Sequence, residues 1–422
     1  MPVALNDLPI ELVGAVVAQV ASIGDLLSLR AVNHTFSAYA TPRAFATYHV
    51  VNTNKSVIGH ASLLEHVGLA RLVRTLVVHC EASPGENRLV NRVEENAESH
   101  EIRLAMGVNL ARLALLPHLQ ELELDFFSGM VWQNFKSAGG GGMTMTVASP
   151  SKYFMLQTAI IQAITDGGPD SLPPSLTSFT IANLIPFPAP EYQNPSFELL
   201  MSRLSRFSLS AHALRFSGRH GEDMFSWFWS EMIPERFLEP AQPKLTTLSL
   251  FSDQPVGQFP AVDLSWLRFP HLTTLSLNGF MFNEQRLVED FIVRHGRTLE
   301  HITLDTCPIH IGGVEGMPPR TWASILQRFT DKLPALLDLQ MVRRTGWGLH
   351  EVDPRIAQLC SYERCLTGYG YERGRDNKLP LSVLQADRVA LRNLLRAVNI
   401  RRQQKWLAPL DLPDLAVPSA AS

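Results

Sequence analysis

Apolar positions recur along this chain with two different periods, and the change of period divides it. Leu12, Val13, Val16, Val17 and Val20 return at three- and four-residue steps, which predicts a helix with one apolar face. Its start reads from Leu5-Asn6-Asp7-Leu8-Pro9. Asn6 or Asp7 can accept free amide hydrogens of a first turn, and Pro9 fits where its missing donor costs nothing. Gly24-Asp25 breaks the pattern, and Leu26, Leu29, Val32 and Phe36 form a second stripe that ends near Thr41-Pro42. So short a segment cannot bury both stripes by itself, so an apolar face is expected to need a partner.

Beyond Leu69 the spacing changes to apolar, two variable, apolar, one variable, apolar. It is present as Leu72/Leu76/Val78, Leu119/Leu122/Leu124, Leu176/Phe179/Ile181 and Leu204/Phe207/Leu209. Sharper copies follow at Leu245/Leu248/Leu250, Leu272/Leu275/Leu277 and Leu299/Ile302/Leu304, and a last one at Leu336/Leu339/Met341. The three sharp copies start 27 residues apart. Each copy predicts a short strand whose alternate residues point into a core shared with its neighbours, so that the array grows in one direction. The other side of those strands then carries Thr247, Ser249 and Phe251, then Thr274, Ser276 and Asn278, then His301, Thr303 and Asp305. An earlier copy adds Glu121, Glu123 and Asp125. These outward positions are the expected surface for a protein target, with a basic segment of it toward Glu121–Asp125.

Composition narrows the functional classes. The 422 residues are 45% hydrophobic and 18% charged with a net charge of -3, which fits a folded chain and supplies no basic excess for a polyanion. No apolar run reaches a membrane span, and no Lys or Arg precedes Arg30 to make a secretory leader of the apolar residues 12–21. A cytoplasmic or nuclear location is therefore expected, with the sequons at Asn33 and Asn54 unused. Four scattered cysteines fit a reducing compartment.

Candidate chemistry is sparse. Cys360 and Cys365 lack a second pair or a nearby His, so no metal is expected. His301, Asp305, Cys307 and His310 crowd one segment, but Cys307 falls at a corner away from the strand positions, and no catalytic residue is assigned. Gly139–Gly142 has no Gly-Lys-Ser/Thr after it and reads as a surface loop, not a phosphate cradle. The aromatic run Met224, Phe225, Trp227, Phe228, Trp229 and Phe237 reads as core or, failing that, as a contact surface. Arg388, Arg392 and Arg396 lie opposite Leu391, Leu394, Leu395 and Val398, an amphipathic helix suited to closing the end of the array.

The residues Leu8-Pro9-x-Glu11-Leu12, Asp25-Leu26-Leu27-x-Leu29-Arg30-x-Val32-Asn33, Phe36 and Pro42 resemble an F-box. Asn33 stands where many members carry Cys. The repeated spacing, with Cys307 at the corner position of its copy, resembles leucine-rich repeats, and the combination is similar to many fungal F-box proteins. The resemblance implies an α/β chain: a three-helix F-box at 1–45, an irregular repeat solenoid at 46–345 with the Gly-rich loop at 137–142, a capping region at 346–406 and a disordered tail at 407–422. It implies a non-catalytic substrate receptor of a cullin–RING ubiquitin ligase, docking a Skp-type adaptor through Leu8, Pro9, Leu12, Leu26, Leu29 and Val32. No cofactor, nucleic acid or membrane enters that reading. A repeat scaffold with no ligase role, an N-terminal helical cap and an ordinary α/β domain are the competing readings.

Overall fold

The computed structural model describes residues 9–80, 97–126, 150–168, 171–212, 224–310, 320–342, 362–363 and 380–412. Leu8, the Gly-rich loop, Cys360, Cys365 and the last ten residues lie outside them. The fold is mixed α/β, with a nine-stranded parallel sheet whose strand order is the chain order. The chain divides into two compact units, one of residues 1–125 and 162–179, the other of 126–161 and 180–422.

The first unit begins with helices α1 (Ile10–Gln19), α2 (Ile23–Arg30) and α3 (His34–Ala46). Ser22 caps α2 by accepting from the Asp25 amide, and Asn33 caps α3 by accepting from the Phe36 amide at 2.9 Å. Helix α3 does not stop at Pro42 but runs on to Ala46. Tertiary contacts carry it through: Arg43 donates to the Val17 carbonyl of α1, and Ala44 enters the shared core. Strand β1 (Thr47–Val51) follows without a break, then α4 (Asn54–Glu65), β2 (Thr75–His79), α5 (Ala97–Leu110) and β3 (Glu121–Asp125). The three strands are parallel, with Thr47, Thr75 and Glu121 in register.

In chain order there follow α6 (Pro150–Thr165), β4 (Ser178–Leu184), α7 (Pro195–Arg203), β5 (Arg206–Ala211), β6 (Thr247–Val256), β7 (Thr274–Phe280), α8 (Leu287–Arg294) and β8 (His301–Asp305). A two-residue β9 (Ile309–His310), α9 (Trp322–Lys332), β10 (Asp338–Val342), β11 (Tyr362–Glu363) and α10 (Leu381–Gln404) complete the described chain. All eight copies of the apolar spacing hold a strand, and β1 is a strand that the spacing did not announce. In the second unit, Leu248, Leu275, Ile302 and Leu339 form one buried rung, and Leu250, Leu277 and Leu304 a second. Gly279, two residues past the second rung on β7, is required: its φ is 77°, and a Cβ there would lie 2.3 Å from the Ser252 carbonyl oxygen.

The aromatic run is core. Phe228, Trp229 and Phe237 are buried within a π-helical segment, Phe228–Leu238, and Trp229 meets Phe280 edge to face at 5.7 Å, while Trp227 stays exposed. Helix α10 buries Leu391, Leu394, Leu395 and Val398 as its stripe predicts. It also holds both ends of α9. The buried Asp387 accepts from the Ala323 amide at 2.7 Å and from the Tyr362 hydroxyl at 2.6 Å, and that hydroxyl accepts from the Trp322 amide. Fourteen residues on, Arg401 donates to the Leu333, Leu336 and Thr330 carbonyls where α9 ends. A carboxylate thus meets the helix start and a guanidinium its end, each complementing the helix dipole. Residues 407–412, expected as the start of a disordered tail, include Leu410, whose backbone pairs twice with the Asn399 amide side chain.

Candidate interaction surfaces

The N-terminal helices sort their apolar side chains into two sets. Val13, Val17, Leu26, Phe36, Ala40 and Ala44 form a core, with Val20, Leu29 and Phe45 packed at its border. Leu12 (51% exposed), Val16, Ile23, Leu27 and Val32 (53% exposed) remain in solvent. Of the expected docking residues, Pro9, Leu12 and Val32 are therefore exposed and Leu29 is half-buried. Leu26 is only 4% exposed, so its side chain serves the helices' own core and cannot also face a partner. The expected single stripe of α1 splits as well: Val13 and Val17 face inward, while Leu12 and Val16 face out. Leu12 and Val16 sit four residues apart on α1, as do Ile23 and Leu27 on α2, so each helix presents an aliphatic pair on one side.

On the first unit's strands, the expected acidic positions are engaged. Glu121 accepts from the Thr75 hydroxyl at 3.1 Å, and Asp125 lies 3.2 Å from His79. His79 Nε2 is 3.4 Å from His49 Nδ1, and the two rings stack at 5.6 Å between centroids. The hydrogen bond to Asp125 raises the His79 pKa, against the opposing effect of burial, and the charges of Asp125 and Glu123 add to the rise. Burial, with the Asp125 charge, pushes the Glu123 carboxyl up, and the two imidazoles pull it back. This face joins carboxylates to imidazoles and does not present three free carboxylates, and its negative charge weakens as His79 protonates.

In the second unit the outward residues line up in rows across β5 to β10. One row is Ser208, Ser249, Ser276, Thr303 and Gln340; the next is Arg206, Thr247, Thr274, His301 and Asp338. Thr247, Ser249, Thr274, Ser276 and Thr303 are half-buried and His301 is exposed, as alternation requires. Asp305 departs from the expectation: it is buried, and its Oδ1 accepts from the Thr306 hydroxyl at 2.9 Å, next to a positive φ of 51° at Thr306. The chain turns there, so Asp305 is drawn out of the row. Cys307, buried at the corner, donates to the Leu277 and Asp305 carbonyls, and burial pushes its thiol up to about 12, so it is held as a thiol.

Sequence reasoning did not single out His60, Asp387 or Glu289, all buried. Glu289 is paired with Arg320 and, at 2.8 Å, with Arg328, joining α8 to α9. Asp387 had a readable signal, since it sits in the apolar register of 383, 387, 391 and 394. Among the described residues, no group of three or more His, Cys, Asp or Glu is placed to hold a metal, and no helix is long and apolar enough to cross a membrane. No family model matches the chain, and no curated protein matches it.

Proposed function

We propose that the chain is the substrate-receptor subunit of a cullin–RING ubiquitin ligase, in which the N-terminal helices dock a Skp-type adaptor and the strand rows hold a protein target. The observation that carries the reading is the division of apolar residues in α1–α3. A unit that satisfies its own core and still leaves Leu12, Val16, Ile23, Leu27 and Val32 in solvent carries apolar surface beyond what its own packing consumes. That is what a docking helix set needs, and it includes Leu12 and Val32 of the F-box-like residues. The repeated strands supply the second requirement, parallel rows of small polar side chains on which a target segment can lie, in the manner of a leucine-rich-repeat solenoid. Such a receptor acts by raising the local concentration of its target near the transferring enzyme, so no catalytic residue is called for.

The decisive measurement is co-purification with the adaptor. Leu12→Asp with Val16→Asp places charge on the exposed pair and leaves the buried Val13 and Val17 untouched, so the variant is expected to fold and lose the adaptor. Retention of the adaptor by that variant would remove the ligase reading and leave a repeat scaffold that binds a partner without ubiquitin transfer.

A further inference from the structure

A surface cleft of about 500 Å³ in the second unit is lined by Arg268, Phe269, Pro270, Arg294, His295, Arg297 and Thr298. Three of the seven are arginines, all exposed: Arg268 in the loop before β7, Arg294 at the end of α8 and Arg297 in the turn after it. None of the three guanidinium groups has an ion-pair or hydrogen-bond partner among the described residues.

The acidic residues that flank Arg294 and Arg297 in the chain are paired with other cations. Glu289 is held by Arg320 and Arg328, Asp290 by Arg328 at 2.6 Å, and Glu300 by Lys405 at 2.7 Å. The cleft therefore keeps its positive charge.

Its walls are also fixed. The buried His295 accepts from the Phe269 amide at 2.9 Å through Nε2, which leaves Nδ1 to donate to the Phe291 carbonyl at 2.8 Å. One imidazole thus ties the 268–270 loop to α8, and both its nitrogens are occupied. The Arg268 amide donates in turn to the Gln242 side chain at 2.6 Å. Guanidinium forks on an anchored backbone lose less freedom on binding than forks on a mobile loop, and they match tetrahedral oxyanions in two-point contacts.

We propose that this cleft binds a phosphate-type oxyanion of a soluble ligand, with Arg268, Arg294 and Arg297 as the charged contacts. The volume exceeds that of a single phosphate, so the ligand brings more than one anionic group or a body that lies along Pro270. The site does not depend on the docking role of the N-terminal helices, and it can stand or fall separately.

The test is titration calorimetry of the full chain with inorganic pyrophosphate, with sulfate at matched ionic strength as a second probe. Saturable pyrophosphate binding is expected, tighter than that of sulfate. Arg294→Gln is expected to weaken it roughly tenfold or more, as the loss of a charge-assisted contact does, and the triple variant R268Q/R294Q/R297Q to abolish it. Because all three side chains are exposed, circular dichroism and melting of the variants should be unchanged. Arg294→Lys keeps the charge and loses the fork, so only partial rescue is expected. Absence of saturable binding by the wild type would overturn the proposal, as would equal binding by the folded triple variant. Binding restricted to anionic phospholipid vesicles, with none to pyrophosphate, would overturn the soluble ligand in favour of a membrane headgroup.

Discussion

His60 is buried on α4 with neither ring nitrogen hydrogen-bonded among the described residues, and Tyr48 stands 5.9 Å from it. Burial, assisted by the Arg112 charge, lowers its pKa to about 4 from the ordinary 6.5. The unfolded chain therefore binds this proton more readily, so the stability it reflects is complete above pH 6.5 and is lost as pH falls toward 4. The shift corresponds to about 3 kcal/mol at most. Melting temperature followed between those limits should fall with pH, and His60→Leu should flatten that slope. His79 works the other way and at higher pH: its raised pKa adds stability that is complete below 6.5 and fades as pH climbs through its folded value. Gly296 is a second sensitive position, since a Cβ there would lie 2.0 Å from the Lys332 carbonyl oxygen. Gly296→Ala should destabilise the second unit by about 1–3 kcal/mol, the usual range for overpacking, read by denaturant unfolding. Neither position was legible from the sequence. A lone His in an apolar register and a Gly after a helix are common, and only the neighbour's coordinates show what each is pressed against.

Strands were the most legible elements. Alternation of leucines fixes which side of a strand is buried, and a one-residue error would put every leucine of that strand in water. Helices told less. On α1, Leu12 and Val13 are equally apolar neighbours, and so are Val16 and Val17, so periodicity alone could not say which pair faces inward. Strand β1 escaped notice because it follows α3 directly, with no Gly, Pro or Asn to mark a boundary. Asp387 is where the element scale can be tested. Replacing it with Ala leaves the Ala323 amide and the Tyr362 hydroxyl without this acceptor, at a cost of about 1–3 kcal/mol, the usual penalty for an orphaned buried donor. Asp387→Asn keeps an acceptor and should lose less. If both variants melt with the wild type, α10 does not hold the start of α9.

At the scale of the molecule, the strand rows and the acidic–imidazole face bear on capture of the proposed target. Reversal of Glu121 and Glu123 to Lys should weaken that capture and leave adaptor binding intact, measured by parallel pull-downs from one extract. Because protonated His79 offsets the carboxylates, wild-type capture of a basic segment should also weaken as pH falls through the raised His79 pKa. Capture that is unchanged in both experiments would move the target away from this face. The array and its outward rows could be anticipated from spacing alone. The pairing of the two imidazoles could not, since His49 belongs to the unannounced strand and comes beside His79 only through the parallel register.

The order of strands in the sheet has a consequence for how the protein is made. In the second unit β6, β7 and β8 each pair with the strand before them in the chain, so a growing polypeptide can extend the sheet one rung at a time as it leaves the ribosome. Helix α9 is the exception. Its first-turn amides and last-turn carbonyls are met by Tyr362, Asp387 and Arg401, all synthesised after it. Between the emergence of residue 332 and that of residue 401 the ends of α9 lack these partners, and this is the interval in which a chaperone would have something to hold.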